Sequence, residues 1–381
     1  MVLAVVTERC VQTDLRIAFV TNLAPHYRKP LFEELARRAD IEFFFSSSSH
    51  PERYLGSSIV HHKGKYPEVA MSSWRLGNQV VMPGLAARLS RSRYDVVVKC
   101  INGKLMVPWV FGITRVKRLP FVLWTGIWSH PTSGLHRVTE PFTRVLYRKS
   151  DAVVAYGAHV KRHVLKSPGV RPEKVFVAGQ AVESERFAAV RDFGPRPPTV
   201  LYVGRLAPVK GVEGLITAFG RVEEPRARLR IVGSGAQRER LVAMAEGDER
   251  ISFAGQLSQR DLVGELAGAR CLVLPSLSGR HGKEPWGLVV NEAMHSGLPA
   301  VVSDAVGAGA GGLVIDGRNG IVFPEGDERR LAEALRMLLE DRELAQRLGR
   351  QAADDAERFS HAAMADAFIE ACRFACGRAM E

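Results

Sequence analysis

Short apolar runs alternate with helical stretches along almost the whole chain, and this alternation is the strongest constraint on the fold. Runs with the composition of strands occur at 16–22, 41–46, 94–100, 119–126, 151–157, 199–205, 229–235, 251–256, 271–276, 299–304 and 320–327. Continuous apolar strands are typical of parallel sheets whose two faces are both covered by helices. The sequence therefore predicts an α/β protein with doubly wound parallel sheets.

The length and one proline cluster predict two domains. A chain of 381 residues is long for a single hydrophobic core, and the densest proline cluster, at 194–199, separates two series of strands. We predict an N-terminal domain over 1–192, with 1–13 as a flexible extension, and a C-terminal domain over 193–357. A last helix within 358–381 is predicted to begin after Ser360 and to pack back on the N-terminal domain.

The excess positive charge belongs entirely to the first half. Residues 1–190 contain 28 Lys and Arg against 14 Asp and Glu, and residues 191–381 contain 25 against 27, so net charges of +14 and −2 sum to +12. A basic half favours phosphates, an anionic membrane surface or an acidic acceptor. A surface that serves only solubility fits the same count. We predict no nucleic-acid partner.

Other classes of protein fit the sequence poorly. No apolar run approaches the ~18 residues that a membrane-spanning helix needs, and the opening MVLAVVTERC has too short an apolar part for a signal peptide. The five cysteines are scattered, as is typical of reduced thiols. We expect a cytoplasmic protein, with a peripheral position on the inner face of the cell membrane as a further option.

Two loops of the second half suit a phosphate ligand. Open α/β sheets bind ligands at the carboxyl ends of their strands, where VGRLAPVKG (203–211) offers Gly204, Arg205 and Lys210. A guanidinium and an ammonium from one loop can hold neighbouring phosphates. IVGSG (231–235) supplies a second glycine turn, with Gly233 and Gly235. Each loop alone is also compatible with a solvated turn.

The stretch EPWGLVVNEAM (284–294) places two carboxylates around the start of a predicted helix at 287–296. The first-turn amides of that helix are unpaired donors that suit phosphate oxygens. Glu284 and Glu292 accept hydrogen bonds from hydroxyls, so a sugar and a ribose suit them better. Further candidate ligand contacts lie on the strand-to-helix loops of the second half: Gln256, Pro285, Trp286, Gly287 and Leu288.

The motifs of the second half, in their order and spacing, resemble those of the GT4 glycosyltransferases, which have the GT-B fold. The resemblance spans about residues 14–376, and 200–327 is its specific part. The motifs that carry it are Gly204-Arg205 with Lys210, Gly233-Ser-Gly235, Pro275-Ser276, Glu284-x7-Glu292 and DGRNGIVFPEGD at 316–327. The resemblance implies two Rossmann-like domains that face each other across a cleft.

The resemblance also implies an activity. Members of the family transfer a hexose with retention from a UDP- or GDP-linked sugar to a hydroxyl of a glycan, lipid-linked or secondary-metabolite acceptor, as in polysaccharide biosynthesis. Arg205 and Lys210 would hold the diphosphate and stabilise the leaving charge. Glu284 would contact the donor sugar, and Glu292 the ribose hydroxyls. No cofactor and no metal is implied, and the sequence has no DxD triplet.

The first half offers acceptor-side and catalytic candidates. His130, after a predicted strand, matches the family's histidine near the anomeric carbon, and Trp124 is an alternative match that equally suits the core. Trp128, on the same loop, has an indole that can stack on a sugar ring. We predict acceptor contacts from this loop and from the first strand-to-helix loop, by His26, Tyr27, Arg28 and Trp128.

Three other patterns leave alternatives open. GAGAGG (307–312) fits the GxGxxG motif of an NAD(P)-dependent oxidoreductase, but a turn and a strand are predicted after it, so we interpret it as a glycine loop near the donor phosphates. A non-catalytic nucleotide-sugar binder would need the same cations and Glu292. His159 and His163, at helical spacing with Lys161 and Arg162 between them, predict a solvated basic face rather than a metal site.

Overall fold

The computed structural model describes residues 14–46, 61–77, 79–129, 134–280 and 282–377. Two six-stranded sheets, all of whose strand pairs are parallel, form two α/β domains. Helices cover both faces of each sheet, and the core residues lie between sheet and helices. The predicted fold class is confirmed.

The first domain is built on a sheet with the strand order β2-β1-β5-β6-β7-β8. Its strands are β1 Arg16–Thr21, β2 Asp40–Phe45, β5 Val96–Cys100, β6 Phe121–Thr125, β7 Ala152–Ala155 and β8 Val175–Val177, beside a hairpin of β3 Trp74–Leu76 and β4 Gln79–Val81. Its helices are α1 Lys29–Arg38, α2 Leu85–Arg91, α3 Met106–Lys117, α4 Gly134–Lys149 and α5 Ala158–Leu165.

The second domain repeats this design with the order β11-β10-β9-β12-β13-β14. Its strands are β9 Thr199–Val203, β10 Arg228–Val232, β11 Ile251–Gly255, β12 Cys271–Leu274, β13 Ala300–Ser303 and β14 Gly320–Phe323. Its helices are α6 Ser184–Ala188, α7 Val212–Gly220, α8 Arg238–Met244, α9 Gln259–Gly268, α10 Leu288–His295, α11 Gly307–Ala310, α12 Glu328–Glu340 and α13 Arg342–Ala356.

Each of the eleven predicted runs contains a strand. The sequence analysis missed β8, which has only three residues, and the hairpin, whose first strand is exposed throughout. Exposed strands lack the apolar alternation on which the prediction relies.

The chain enters the second domain earlier than predicted. Val182 and Phe187 pack in the core of the second domain, whereas Ala178 packs in the first. The structure therefore places the crossing between Ala178 and Val182, upstream of the proline cluster at 194–199. Arg196, within that cluster, donates hydrogen bonds to carbonyls of the second domain.

The last helix, α14 His361–Ala375, belongs to the first domain in space although it is last in sequence. The Ser360 hydroxyl accepts a hydrogen bond from the Ala363 amide at 3.1 Å, so Ser360 is the N-cap as predicted. Phe368 is buried between Phe19 and Trp124, with ring centroids 5.7 and 5.2 Å away. Among the described residues, no helix has the length and apolarity to cross a bilayer.

We predict that Phe368→Ala destabilises the first domain. In the sequence, Phe368 is separated from the rest of that domain by the whole second domain. Removal of a fully buried phenylalanine costs about 3–5 kcal/mol, because packing contacts are lost and a cavity remains. Thermal unfolding followed by tryptophan fluorescence should show a lower midpoint. Phe142→Ala is the control, because Phe142 is 36% exposed on α4, and a midpoint shift of equal size in both variants would contradict the packing argument.

Candidate active site

Lys210 and Glu284, 74 positions apart in sequence, form an ion pair at the carboxyl end of the second sheet. Lys210 ends a 3₁₀ turn that follows β9, and Glu284 lies in the loop before α10. Ser276, directly after β12, donates its hydroxyl to the same carboxylate oxygen at 3.0 Å. Both charged side chains are mostly buried, at 13% and 18% exposure. The structure thus brings these two predicted residues together.

Arg205 lies on the same loop as Lys210 but is exposed. Its carbonyl accepts a hydrogen bond from the Tyr202 hydroxyl at 3.0 Å, which fixes the backbone. Within the described part of the chain its guanidinium has no ion pair and no hydrogen bond. Because the backbone of Arg205 is fixed and its guanidinium has no internal partner, the guanidinium can bind an anionic ligand without first breaking an ion pair.

The glycine turn at 231–235 supports the Arg205 loop from behind. Gly204 and Leu206 donate their amides to Val232 O and Ser234 O at 3.0 and 2.8 Å. Gly233 has φ +136°, and a Cβ there would lie 1.9 Å from Gly204 O, so only glycine fits. Because the Gly204 amide is already paired, it is not a free donor for a ligand. A Cβ on Gly235 would likewise meet the Leu206 carbonyl.

The start of α10 presents free backbone donors beside Glu284. Gly287 adopts φ +95° before the first turn, and Val290 N bonds to Gly287 O at 2.9 Å. In the described structure, no acceptor is paired with the Leu288 and Val289 amides. Unpaired amides at a helix start carry the positive end of the helix dipole, which favours an anion.

Glu292 lies on α10, partly buried, and its carboxylate has no hydrogen-bond partner among the described residues. Burial raises its pKa to about 7, and the positive charge of Arg186 on α6 opposes that rise only in part. A partly buried carboxylate without a hydrogen-bond partner can accept hydrogen bonds from the donors of a ligand. The hydroxyls of a bound ligand would supply them.

Two first-domain side chains hold the backbone of the Glu284 loop. Trp128 Nε1 donates to Glu284 O at 3.0 Å, and His159 Nε2 donates to Pro285 O at 3.0 Å. His159 is 3% exposed, and burial lowers its pKa to about 4. The ring is therefore neutral at pH 7 and keeps its single proton on Nε2. The prediction of a solvated basic face at His159 is wrong, because its α5 face packs against the second domain.

The motif GAGAGG forms α11 and the turn after it, and it packs on this same loop. Gly307 N donates to Glu284 O at 3.0 Å, and Ala308 N donates to Trp286 O at 2.8 Å. A Cβ on Gly307 would lie 2.1 Å from Pro285 O, which explains the glycine. The helix has only four residues. Its amides serve the Glu284 loop, and nothing in this geometry supports a dinucleotide site.

Two predicted contact residues have buried side chains. The Trp286 indole is 3% exposed, and its Nε1 donates to Asn291 Oδ1 at 2.7 Å, so only its backbone can reach a ligand. Arg28 is 8% exposed, with its guanidinium 4.7 Å from the Trp124 ring and 5.2 Å from the Tyr156 ring. Its predicted acceptor contact is corrected to a core position, because α14 covers the first loop. Trp124, at 2% exposure, is also core.

The remaining acceptor candidates lie nearer the surface. His26 is exposed and Tyr27 is partly buried. Burial and the neighbouring His62 lower the pKa of His26, and the charges of Glu183 and Arg186 also act on it. His26 is thus within electrostatic range of α6, whose Arg186 also acts on Glu292. Gln256 is exposed after β11. His130 lies outside the described residues, so its predicted role stays a prediction.

A cavity of about 250 Å³ opens between the domains beside the Glu284 loop, lined among others by Cys100, Asn102, Trp128, Tyr156, Lys283 and Pro285. Lys99, which the sequence analysis did not select, is buried behind it. Its Nζ donates to Cys100 O at 2.6 Å and to Asn102 O at 2.8 Å. Burial lowers the pKa of Lys99 to about 8. Lys99 therefore braces the loop that forms one wall of the cavity.

Comparison with known proteins adds a family description. Residues 183–355 match the family model "Glycosyl transferases group 1". The chain is 26% identical to "Sulfoquinovosyl transferase SQD2" of Arabidopsis thaliana over 81% of this chain and 62% of that protein. It is 34% identical to "Glycogen synthase" of Mycobacterium tuberculosis over 58% and 53%. The matched family segment covers 173 of the 381 residues and includes the second sheet.

Solved structures agree on the fold. HepE of Anabaena in complex with UDP and glucose superimposes with a TM-score of 0.68 at 19% identity, over 93% of this chain and 98% of that chain. The two six-stranded parallel sheets are those of the GT-B fold. The chain spans 53% to 62% of the length of the two relatives described above.

We predict that Trp128→Phe loosens the Glu284 loop. The change removes one N–H donor and keeps a ring, so about 1 kcal/mol of hydrogen bonding is lost and the Glu284 carbonyl loses one of its two partners. Hydrogen–deuterium exchange of peptides that span 284–292 should become faster. Trp74→Phe is the control, because Trp74 is 63% exposed. Unchanged exchange in Trp128→Phe would show that the first domain does not hold this loop.

We predict that Glu292→Gln stabilises the protein above pH ~7 and not below pH ~4. Between the ordinary pKa of 4.5 and the folded value of about 7, the unfolded chain releases a proton that the folded chain keeps. The stability of the wild type therefore falls as the pH rises through this window. After a discount for partial exposure, the gain is about 1–3 kcal/mol at pH 8. Thermal midpoints at pH 4 and pH 8 test it, and a pH-independent difference would contradict it.

Proposed function

We propose that this protein is a retaining, metal-independent glycosyltransferase. It would move a hexose from a UDP- or GDP-linked sugar to a hydroxyl of a glycan, lipid-linked or secondary-metabolite acceptor. The observation that carries the proposal is the Lys210–Glu284 ion pair beside the free start of α10, at the carboxyl end of the second sheet, with Arg205 on the Lys210 loop and Glu292 further along α10.

The charges of this group suit a nucleoside diphosphate sugar. A diphosphate fits the exposed Arg205 guanidinium and the Leu288 and Val289 amides, where fixed positive charge needs no rearrangement. Ribose hydroxyls would satisfy the unpaired carboxylate of Glu292. The donor hexose would then lie towards Glu284, whose second carboxylate oxygen is not used by Lys210 or Ser276.

The reaction needs positioning and charge stabilisation more than an activated nucleophile. The bond between C1 of the sugar and the diphosphate oxygen breaks, and a bond between C1 and the acceptor oxygen forms on the same face. The proton of the acceptor hydroxyl passes to the departing phosphate oxygen, so that no protein group must gain or lose it. Arg205 and Lys210 stabilise the negative charge as it grows on the leaving group.

The acceptor would enter from the first domain. The cavity between the domains has Trp128 and Tyr156 as ring-bearing walls and Asn102 as a polar group, and it adjoins Glu284 through Pro285. An indole and a phenol ring suit the apolar face of a sugar or of a polyprenyl-linked headgroup. The positive charge of the first half supports an anionic or membrane-borne acceptor.

A nucleotide-sugar binder without activity is the rival proposal, and turnover decides between them. The experiment incubates the full chain with UDP-, GDP-, ADP- and TDP-linked hexoses and measures release of the nucleotide, with UDP sugars first because HepE is seen with UDP and glucose. We expect hydrolysis or transfer with at least one donor. Tight binding with no turnover of any donor, with and without candidate acceptors, would favour the rival.

We predict that Arg205→Ala lowers turnover by roughly 10²-fold with little effect on folding, because removal of one donor to a developing charge has about this cost. Arg336→Ala, at an exposed position of α12, is the control.

A chelator should leave turnover unchanged, and the described residues contain no cluster of three or more His, Cys, Asp or Glu suited to a metal. Loss of turnover in chelator that Mg²⁺ restores would overturn the metal-independent mechanism.

A further inference from the structure

Helix α3 is apolar on the side that faces solvent as well as on the side that faces the core. Met106, Val110 and Ile113 are buried against the first sheet. Leu105, which directly precedes α3, Trp109 and Val116 lie at helical spacing on one solvent-exposed side, and they are 42%, 43% and 80% exposed. A surface helix normally presents polar residues to water. An outer apolar stripe of this length indicates a surface that something else covers.

The hairpin β3–β4 lies beside the start of α3 and carries two more exposed apolar side chains. Trp74 and Leu76 lie on the same side of β3, and they are 63% and 56% exposed. Gln79 of β4 accepts the Lys104 amide through its side-chain oxygen at 2.9 Å, which ties the hairpin to the start of α3. We call these five apolar side chains the apolar face: Trp74, Leu76, Leu105, Trp109 and Val116.

The charge around the apolar face is almost entirely positive. The sequence has no Asp or Glu between Asp95 and Glu140, and residues 104–166 contain eleven Lys and Arg against two Asp and Glu. Both acids are already paired, Glu140 with Arg144 at 2.6 Å and Asp151 with Arg115 at 2.5 Å. Lys104 and Lys117, at the two ends of α3, are exposed and form no ion pair within the described structure.

We propose that the apolar face docks on the surface of an anionic lipid bilayer. Exposed tryptophans at the interface, leucine and valine below it and lysines at the headgroups are the chemistry by which a helix lies on such a surface. A second copy of this chain fits the face less well, because two surfaces with this excess of positive charge repel each other.

Docking of the apolar face would bring the bilayer close to the cavity beside Glu284. The role of this arrangement in the reaction rests on the proposed function. The loop that lines the cavity beside Glu284 continues directly into α3, since Ile101 and Asn102 line the cavity and Leu105 starts the stripe. A bilayer on the apolar face would lie next to the cavity mouth. The acceptor class that this arrangement favours is a sugar or hydroxyl headgroup carried by a membrane lipid.

Flotation of the full chain with vesicles tests the proposal. Vesicles of phosphatidylcholine alone are compared with vesicles that also contain phosphatidylglycerol, at low and high salt. We expect binding to the anionic vesicles that high salt weakens. Equal binding to both kinds of vesicle, or binding to neither, would overturn the proposal.

Two pairs of variants locate the surface. Trp109→Ser with Val116→Ser should lower the partition onto anionic vesicles at least about five-fold, because interfacial apolar area is lost. The matched control is Met337→Ser, at a 52% exposed methionine of α12 in the second domain.

Lys104→Glu with Lys117→Glu should lower the partition roughly 30-fold or more, since each lysine near an anionic surface contributes about 1 kcal/mol. Arg260→Glu with Arg336→Glu makes the same change in net charge elsewhere and should bind nearly as the wild type does.

The remaining outcomes separate this proposal from its rivals and from the proposed function. Equal loss in the control variants would mean that no particular face docks. A dimer in light scattering that Trp109→Ser with Val116→Ser dissociates would assign the face to a second copy instead. Thermal midpoints of all variants confirm folding, and hydrolysis of a soluble nucleotide sugar should be unchanged in them. Vesicle binding as expected without any donor turnover would refute the proposed function and leave the docking surface intact.

Discussion

The short segment from Glu284 to Trp286 is held by both domains, and the geometry of the site depends on it. The Glu284 side chain pairs with Lys210 within the second domain. The Glu284 and Pro285 carbonyls accept hydrogen bonds from Trp128 and His159 of the first domain. A backbone carbonyl cannot change its direction by a side-chain rotation, so these bonds fix the loop itself. The position of one carboxylate and the docking of the two domains are therefore coupled.

Some polar groups of the site have hydrogen-bond or ion-pair partners within the protein, and others have none in the described structure. Lys210 and Glu284 form an ion pair, and the amides of Gly204, Gly307 and Ala308 all have partners within the protein. In contrast, the described structure leaves the Arg205 guanidinium and the Glu292 carboxylate without partners. A partly buried, unpaired carboxylate opposes folding. Such a cost is understandable where a ligand with hydroxyl groups pairs with it.

The first domain has an unusual division of polarity that bears on its partner. Its interior and the outer side of α3 are both apolar, while the residues around that outer side are basic. The strand end that forms a wall of the cavity leads straight into this helix. The cavity mouth and this surface therefore lie at the same edge of the sheet, where the carboxyl ends of the parallel strands meet.

The sequence alone determined the two parallel sheets and the placement of Lys210 and Glu284 on loops at the same end of one sheet. Apolar runs record which strands are buried, and motifs on successive strand-to-helix loops must meet at one edge. Only the tertiary structure decided the burial and the contacts of Arg28, His159, Trp286 and the glycines at 307–312. Their neighbours come from distant parts of the chain. Helix α14 covers Arg28, and the second domain buries His159. Burial of a polar side chain depends on what packs against it, and a local pattern carries no record of that neighbour.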